Sequence, residues 1–479
     1  MSFLAGDTSE ANNGIGTRPL STVVADGLDA VVFYSLLLTM ALIAIPYGAT
    51  EPWWKGVFQS FVFLLAAIAV VESWLRNTGT RAVSFSAFRR SSGALLLPLL
   101  ALLIFAFVQT VPWSRTVAGV ERVQWTLSRD PYQTKLFMIQ VGALVSFGWM
   151  LVRHTHNARR LYFVIDTIIA IAVASAVFGL WRQASQQHVG FLLPYLRPGF
   201  GYGQFINSNH FAFMMEMALG LTLGIAIMRG VKGRRLAVYL IAAALMWLAV
   251  IRVNSRGGLL SMLCQVVILG VLLVARRTKK ELVESGRASA IKQRVLQVIL
   301  VVMLLIGSVV TVIFVGGDPL ATRIDSLSVE LNQKTAQTYA LRQNIWQATW
   351  ALIKDHPIGG AGFGGYWMAI RKYHRASGET TPQQAHNDYL ELLASGGVIA
   401  LGIGIWFVVV FVKLARTALN NADELGTAVI TGASIGIVTV LVHSLVDFGL
   451  HVTVNALVFT TLIALVAIVE RRGRKPLQT

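Results

Sequence analysis

Residues 395–415 read SGGVIALGIGIWFVVVFVKLA, with Lys413 as the single charge. The hydrocarbon core of a bilayer takes about 20 predominantly apolar residues per helix, so this stretch is a membrane span. Reading outward in both directions finds eleven more: 30–48, 56–75, 93–112, 136–153, 161–181, 209–228, 235–252, 259–275, 296–315, 425–447 and 452–470. Only His451 and its neighbours separate the last two, which suits a broken or re-entrant pair.

The composition of the 479 residues agrees. Hydrophobic residues make up 55% and charged residues 13%, the latter about half the roughly 25% of soluble domains. A soluble fold of this kind would expose large apolar patches. A soluble enzyme, a disordered chain and a nucleic-acid-binding module are therefore excluded. The fold class is an all-α polytopic membrane protein of about twelve transmembrane helices. The formal net charge is +18, but the basic residues sit mostly in short loops at span ends, where they act as a topology signal. Twelve spans return both termini to one side, and 25 of the 41 Lys and Arg fall on it. That side is the expected cytoplasmic one. Cys264 is the only cysteine, so there is no disulfide and no cysteine metal site. Residues 1–28 are polar, and the first span is expected to act as its own uncleaved anchor.

The opposite side carries four features. Segment 113–135 has Val117, Val120, Val123 and Leu127 at helical spacing and is expected to lie on the membrane surface as an amphipathic element. Segment 182–208 is rich in Gly and Asn. A tight loop holds Asn254-Ser255-Arg256-Gly257-Gly258. Segment 316–394 is far longer than an ordinary loop. Leu341, Ile345, Ala348 and Leu352 within it predict a helix over about 325–354 that stops at His356-Pro357. A short helix is predicted from about 389 to 395, with Asp388 and Glu391 as a capping-box variant and Gly396-Gly397 as its end.

Several motifs carry candidate chemistry. Gly360-Ala361-Gly362-Phe363-Gly364-Gly365 satisfies GxGxxG but lacks the strand, helix and acid of a dinucleotide site. It reads as a turn for close backbone approach. Arg197 opens a segment with three alternating glycines, followed by Asn207-Ser208-Asn209-His210; exposed N–H groups and Asn side chains there suit an anion or sugar hydroxyls. Arg256 has no acid within ten positions. It either snorkels to lipid phosphate or fits a ligand anion with its planar fork. His386, in Gln384-Ala385-His386-Asn387-Asp388-Tyr389, has the residue type that accepts a proton near neutral pH. His443, Asp447 and His451 are spaced i, i+4, i+8 and are expected to share one helix face as a polar intramembrane network rather than a metal site. His154, His156 and His374 read as solvated.

Five elements in order then carry a resemblance. They are Arg197 with Phe205-Ile206-Asn207-Ser208-Asn209-His210-Phe211; Ser255-Arg256-Gly257-Gly258; Arg342, Trp346 and His356-Pro357-Ile358-Gly359; His386-Asn387-Asp388-Tyr389-Leu390-Glu391-Leu392 with Gly396-Gly397; and His443-Ser444-Leu445-Val446-Asp447-Phe448. Over roughly 195–460 this pattern resembles the O-antigen ligase / O-antigen polymerase superfamily of bacterial envelope glycosyltransferases.

The resemblance implies a multi-pass inner-membrane enzyme with its active site facing the periplasm. Its donor would be an undecaprenyl-diphosphate-linked glycan, and its acceptor a glycan (polymerase) or lipid A core (ligase). No cofactor, metal or nucleic acid is expected; the other partner is membrane lipid. Carried over by motif, His386 is the catalytic base and Arg197 and Arg256 bind the donor diphosphate. Arg342 is a further phosphate contact or braces the loop helix. Asn207, Asn209 and Tyr389 are glycan or loop contacts. The expected organisation is a tail over 1–29, N-terminal spans over 30–194, the ligase/polymerase-like domain over 195–470 and a second tail over 471–479. Polymerisation of polysaccharide repeat units is the favoured reaction, with ligation as the alternative. A transporter of lipid-linked sugars is the rival from another class. It would spread ionisable residues along a central path, whereas Arg197, Arg256, Arg342 and His386 all fall on one side.

Overall fold

A computed structural model of the protein describes residues 19–76, 92–117, 120–185, 196, 201–253, 255–284, 334–374 and 381–474. The chain is a bundle of long helices. In order they are α1 (Leu20–Ala44), α2 (Pro52–Arg76), α3 (Leu96–Thr110), α4 (Pro131–His154), α5 (Ala158–Ser185), α6 (Ser208–Ile227), α7 (Gly233–Val253), α8 (Arg256–Glu284), α9 (Lys334–Asp355), α10 (Asp388–Asn420), α11 (Glu424–His443) and α12 (Thr453–Arg474). Ten helices among the described residues are long and apolar enough to cross a membrane, which makes this an all-α polytopic membrane protein. Eleven of the twelve expected spans coincide with helices. In α8 the apolar stretch is the shorter Gly257–Leu272. The expected span at 296–315 lies outside the described residues.

Sequence sets the helix starts. Asp130 accepts from the Gln133 amide at 3.0 Å with Pro131 next to it, and Asp423 caps α11 by accepting from the Gly426 amide. These side chains satisfy amide groups that the first helical turn leaves unpaired. Helix α6 is the hub of the core, with nine-tenths of its apolar window buried. It lies against α11 at backbone contact: a Cβ on Gly220 would strike Gly436, and one on Gly224 would strike Gly432. Two small-x-x-x-small faces thus meet antiparallel, which is how apolar helices gain packing energy where lipid supplies no hydrophobic drive.

The bundle has two chemically distinct ends. At one, Glu72 pairs with Arg76 and Arg153, and Arg471 donates to the Arg153 and Thr155 carbonyls. These are loops that the charge count put on one side. At the other end lie α9, the start of α10 and the break between α11 and α12. Helix α12, about 33 Å long at 1.5 Å per residue, separates the two.

Two expectations change here. Trp113–Val117 and Val120–Trp125 are antiparallel paired strands; their Val, Thr and Trp content favours strand, and this outweighs the i, i+3 spacing. In addition, α11 ends at His443, so His443, Asp447 and His451 do not share a helix face. The chain from Ser444 to Val452 is turn and a 3-10 segment, Gly449–His451.

Candidate functional site

Asp447 is the centre of the irregular end. Its side chain is 1% exposed, and it draws partners from three separated pieces of sequence besides its own neighbour Phe448. Asn209 Nδ2, from the first turn of α6, donates to Oδ2, and Arg342 of α9 brings Nη2 to 3.7 Å of the same oxygen. His386 Nδ1 lies 3.5 Å from Oδ1, which also accepts from the Phe448 amide at 2.9 Å. Burial pushes the Asp447 carboxyl up, but His386, the nearby charge of His210 and the Asn209 bond outweigh it and hold it down to about 2. Asp447 is therefore an anion at any physiological pH. Arg342 and His386 stand at long distances from it, and each keeps about a third of its side chain exposed.

His386 is fixed by its neighbours rather than by Asp447. It adopts the left-handed region, with φ 51, which costs a non-glycine residue about 1–2 kcal/mol and persists where the surroundings enforce it. Trp346 Nε1 donates to the Ala385 carbonyl at 3.0 Å, and the Ala385 amide donates to Glu391 Oε2 at 2.9 Å. On the other side of His386, Asn387 Nδ2 donates to the Leu445 carbonyl at 2.8 Å while its Oδ1 caps α10. The Asp388 amide donates to the Ser444 carbonyl, and Tyr389 Oη to the Leu441 carbonyl at 2.8 Å. The Phe448 ring packs edge-on against both His386 and His210, at 4.8 and 4.9 Å. Nδ1 of His386 is buried, so the exposed third of the side chain lies elsewhere on the ring.

The glycine loop fixes this geometry from behind. Ala361 and Gly362 donate their amides to the Ala394 and Ser395 carbonyls, and buried Gln109 of α3 bonds to Gly359, Ser395 and Phe363. Gly360, at φ +65, leaves no room for a Cβ against Ser395. The close-approach reading of this motif therefore holds. Gly397, at φ +60, breaks α10 into a short helix and a span, as the Gly396-Gly397 pair predicts. Asp388, however, does not cap the helix; Asn387 does, because the β-region residue one position earlier holds the capping geometry.

A second buried pair lies deeper. His443 Nδ1 is 2.9 Å from Glu216 Oε1, and both side chains are fully buried. The His443 ring stacks on Phe213 at 4.1 Å and sits where any side chain on Gly257 would be. Ser255 Oγ accepts the Gly258 amide at 3.1 Å and caps α8, whose first residue is Arg256. The start of α8 is thus seated on His443.

The expected site residues divide accordingly. Arg342, His386, Asn209 and Asp447 come together. Asn207 caps α6 by accepting from the Asn209 amide at 2.9 Å, and Tyr389 ties α10 to α11. His443 pairs with Glu216 rather than with Asp447. Arg197 and the Arg256 side chain lie outside the described residues. Sequence reasoning missed Glu216 and His210; a lone acid in an apolar span was the available signal for the first. It also misread His154 as solvated, whereas His156 is half exposed as expected. His154 is fully buried, and both rings contact Asp29 Oδ1, at 2.7 and 2.8 Å. Among the described residues this is the group whose ligand atoms could converge on a metal ion. Arg160 already neutralises the second Asp29 oxygen at 2.6 Å, and the group joins α1 to the α4–α5 corner.

Comparison with known families now bears on the site. Residues 241–405 match the family model described as O-Antigen ligase. The match covers about a third of the chain. It supports a likeness to the O-antigen ligase/polymerase superfamily over a stretch that holds Arg256, Arg342 and the His386 loop. Asn209 and Asp447, which complete the cluster, come from outside the matched region. No curated protein matches the chain.

Proposed function

We propose that the protein is a membrane glycosyltransferase that moves a glycan from undecaprenyl diphosphate to an acceptor hydroxyl on the periplasmic side. The observation that carries this is the convergence of His386, Arg342 and Asn209 on buried Asp447 at one end of the bundle. A transporter needs its ionisable groups along a path through the bilayer; here Arg342, His386 and Asp447 gather at one end of the bundle.

In this reading His386 takes the proton of the acceptor hydroxyl as its oxygen attacks the anomeric carbon. General base help of this kind contributes typically about 10²–10⁴-fold. The C–O bond to the lipid diphosphate breaks in the same displacement, which inverts the anomeric centre. Negative charge then grows on the leaving diphosphate. Arg197, Arg256 and Arg342 supply the guanidinium groups that would stabilise it, and the capped start of α8 adds the positive end of its dipole. Three arginines supply this stabilisation without a metal ion. Asp447, 3.5 Å from Nδ1, would stabilise the imidazolium that forms. Polymerisation of repeat units is the favoured reaction. Ligation to lipid A core is the second reading, favoured by the description of the matching family. The clustering of basic loops at the opposite end supports cytoplasmic termini in the bacterial inner membrane.

The test uses purified protein in nanodiscs with an undecaprenyl-diphosphate-linked repeat unit. A ladder of longer lipid-linked chains, absent from His386→Ala, is the expected result. Transfer only when lipid A core is supplied would make it a ligase. No turnover in either arm would sink the glycosyltransferase reading.

A further inference from the structure

His451 stands in the break between α11 and α12, where that break meets α10. Its two ring nitrogens face two different carboxylates. Nδ1 lies 3.3 Å from Asp388 Oδ1, and Nε2 lies 3.1 Å from Glu391 Oε1. Ionised carboxylates only accept hydrogen bonds, and a neutral imidazole has one N–H and one lone pair. A neutral ring would therefore satisfy one carboxylate and turn a lone pair on the other. Only the doubly protonated ring serves both.

The far oxygens of the same carboxylates are also engaged. Asp388 Oδ2 accepts the Ser444 hydroxyl at 2.7 Å, and Glu391 Oε2 accepts the Ala385 amide at 2.9 Å. Ala385 directly precedes His386. A continuous line of contacts thus runs from His451 through Glu391 to the peptide that carries His386. The strained backbone of His386 needs such enforcement, and Trp346 and Asn387 supply only the flanking anchors.

We propose that His451, as an imidazolium, is the positioning residue that clasps the start of α10 and so holds His386 in its working place. The assignment rests on the reading of His386 as the base. The groups facing His451 are Asp388 and Glu391 from α10 and the Phe448 ring at 6.0 Å from its own segment. His210 of α6 is near enough for the two charges to repel. Burial works against the His451 charge, but the two carboxylates outweigh it and raise its pKa well above the ordinary imidazole value. A raised pKa keeps the clasp shut at neutral pH and opens it as pH rises through that value.

The full chain in nanodiscs, with the lipid-diphosphate-linked repeat unit as donor, gives the test. His451→Gln is uncharged at every pH, and kcat should fall about tenfold to a hundredfold, the scale of a misplaced catalytic group, with the donor KM unchanged. His451→Arg is charged at every pH; it should retain more turnover than the Gln variant and lack the wild-type decline at alkaline pH. Amide exchange across residues 381–391, read by mass spectrometry without donor, should be faster in His451→Gln. Unchanged kcat in His451→Gln, or unchanged exchange, overturns the clasp. An alkaline decline that persists in His451→Arg does so too. Failure of the wild type to turn over donor, with exchange altered as expected, would instead remove the assignment of His386 and leave the clasp standing.

Discussion

Two buried aspartates organise opposite ends of this bundle, and they do so differently. Asp29 is held by Arg160, His154 and His156, all at 2.6–2.8 Å. Asp447 has its histidine at 3.5 Å and its arginine at 3.7 Å. Both carboxylates are desolvated, so both need compensation. Asp29 is compensated at full hydrogen-bond contact, and its partners have no reach to spare. Arg342 and His386 stand back from Asp447 and stay partly open to solvent. A tight knot fixes helices; a loose one leaves charge available to a ligand. The backbone follows the same division. Asp29, His154 and Arg160 sit in or at the ends of regular helices, whereas His386 and Asp447 sit in irregular chain whose shape is enforced by side-chain bonds to carbonyls.

This contrast is open to direct attack. The largest effect is expected at the loose end. His386→Ala should lower turnover at least about a hundredfold and leave the thermal midpoint in place; a loss of stability of the same rank would make His386 a structural residue. The reverse is expected at the tight end. Asp29→Ala should cost about 3–5 kcal/mol, chiefly by stranding buried His154, with turnover per folded molecule unchanged. A fall in kcat at constant stability would show that the Asp29 group serves the chemistry.

A smaller effect concerns acid. Asp447 is held at about 2 against an ordinary 3.8, so its ionised form favours the folded state. That contribution is fully present above about pH 4 and is lost as pH falls toward 2. It amounts to about 2 kcal/mol for a shift of this size. Denaturation measured between pH 4 and 2 should show this loss in the wild type and not in Asp447→Asn; identical acid curves would remove Asp447 from its central place. The smallest effect belongs to Tyr389→Phe, which deletes one half-exposed hydrogen bond to the Leu441 carbonyl. About 1 kcal/mol or less is expected, with turnover nearly unchanged. A large kcat loss would give the Tyr389 hydroxyl a role at the substrate.

The ends of the chemistry were partly legible in advance. His386, Asn209 and Asp447 were visible as polar residues in or near apolar spans, and Arg342 through the motif on the long loop's helix. Their meeting was not, because α6, α9, the α10 loop and the α11–α12 break lie far apart in the chain. Histidine spacing misled twice. The i, i+4, i+8 run at 443–451 presumes a helix that in fact stops at His443, and buried His154 finds its partner in Asp29, more than a hundred residues away. The paired strands at 113–117 and 120–125 were hidden for a related reason: valines three apart fit a helix face, yet the same residues favour strands.

What the sequence determined alone was the solvent and the punctuation. Unbroken apolar runs decide that the chain lives in a bilayer, since no other medium tolerates so much hydrocarbon surface. Local signals such as Pro131 after Asp130, Gly397 and His356-Pro357 decide where helices start and stop, because capping and φ limits act within a few residues. Partnership was decided only in three dimensions. A buried ionisable group takes whichever opposite charge the packing brings within reach, and that depends on helix contacts such as Gly220 on Gly436 and Gly224 on Gly432. Those contacts set α6 against α11, and through them His443 meets Glu216 while Asp447 is left to gather Asn209, Arg342 and His386.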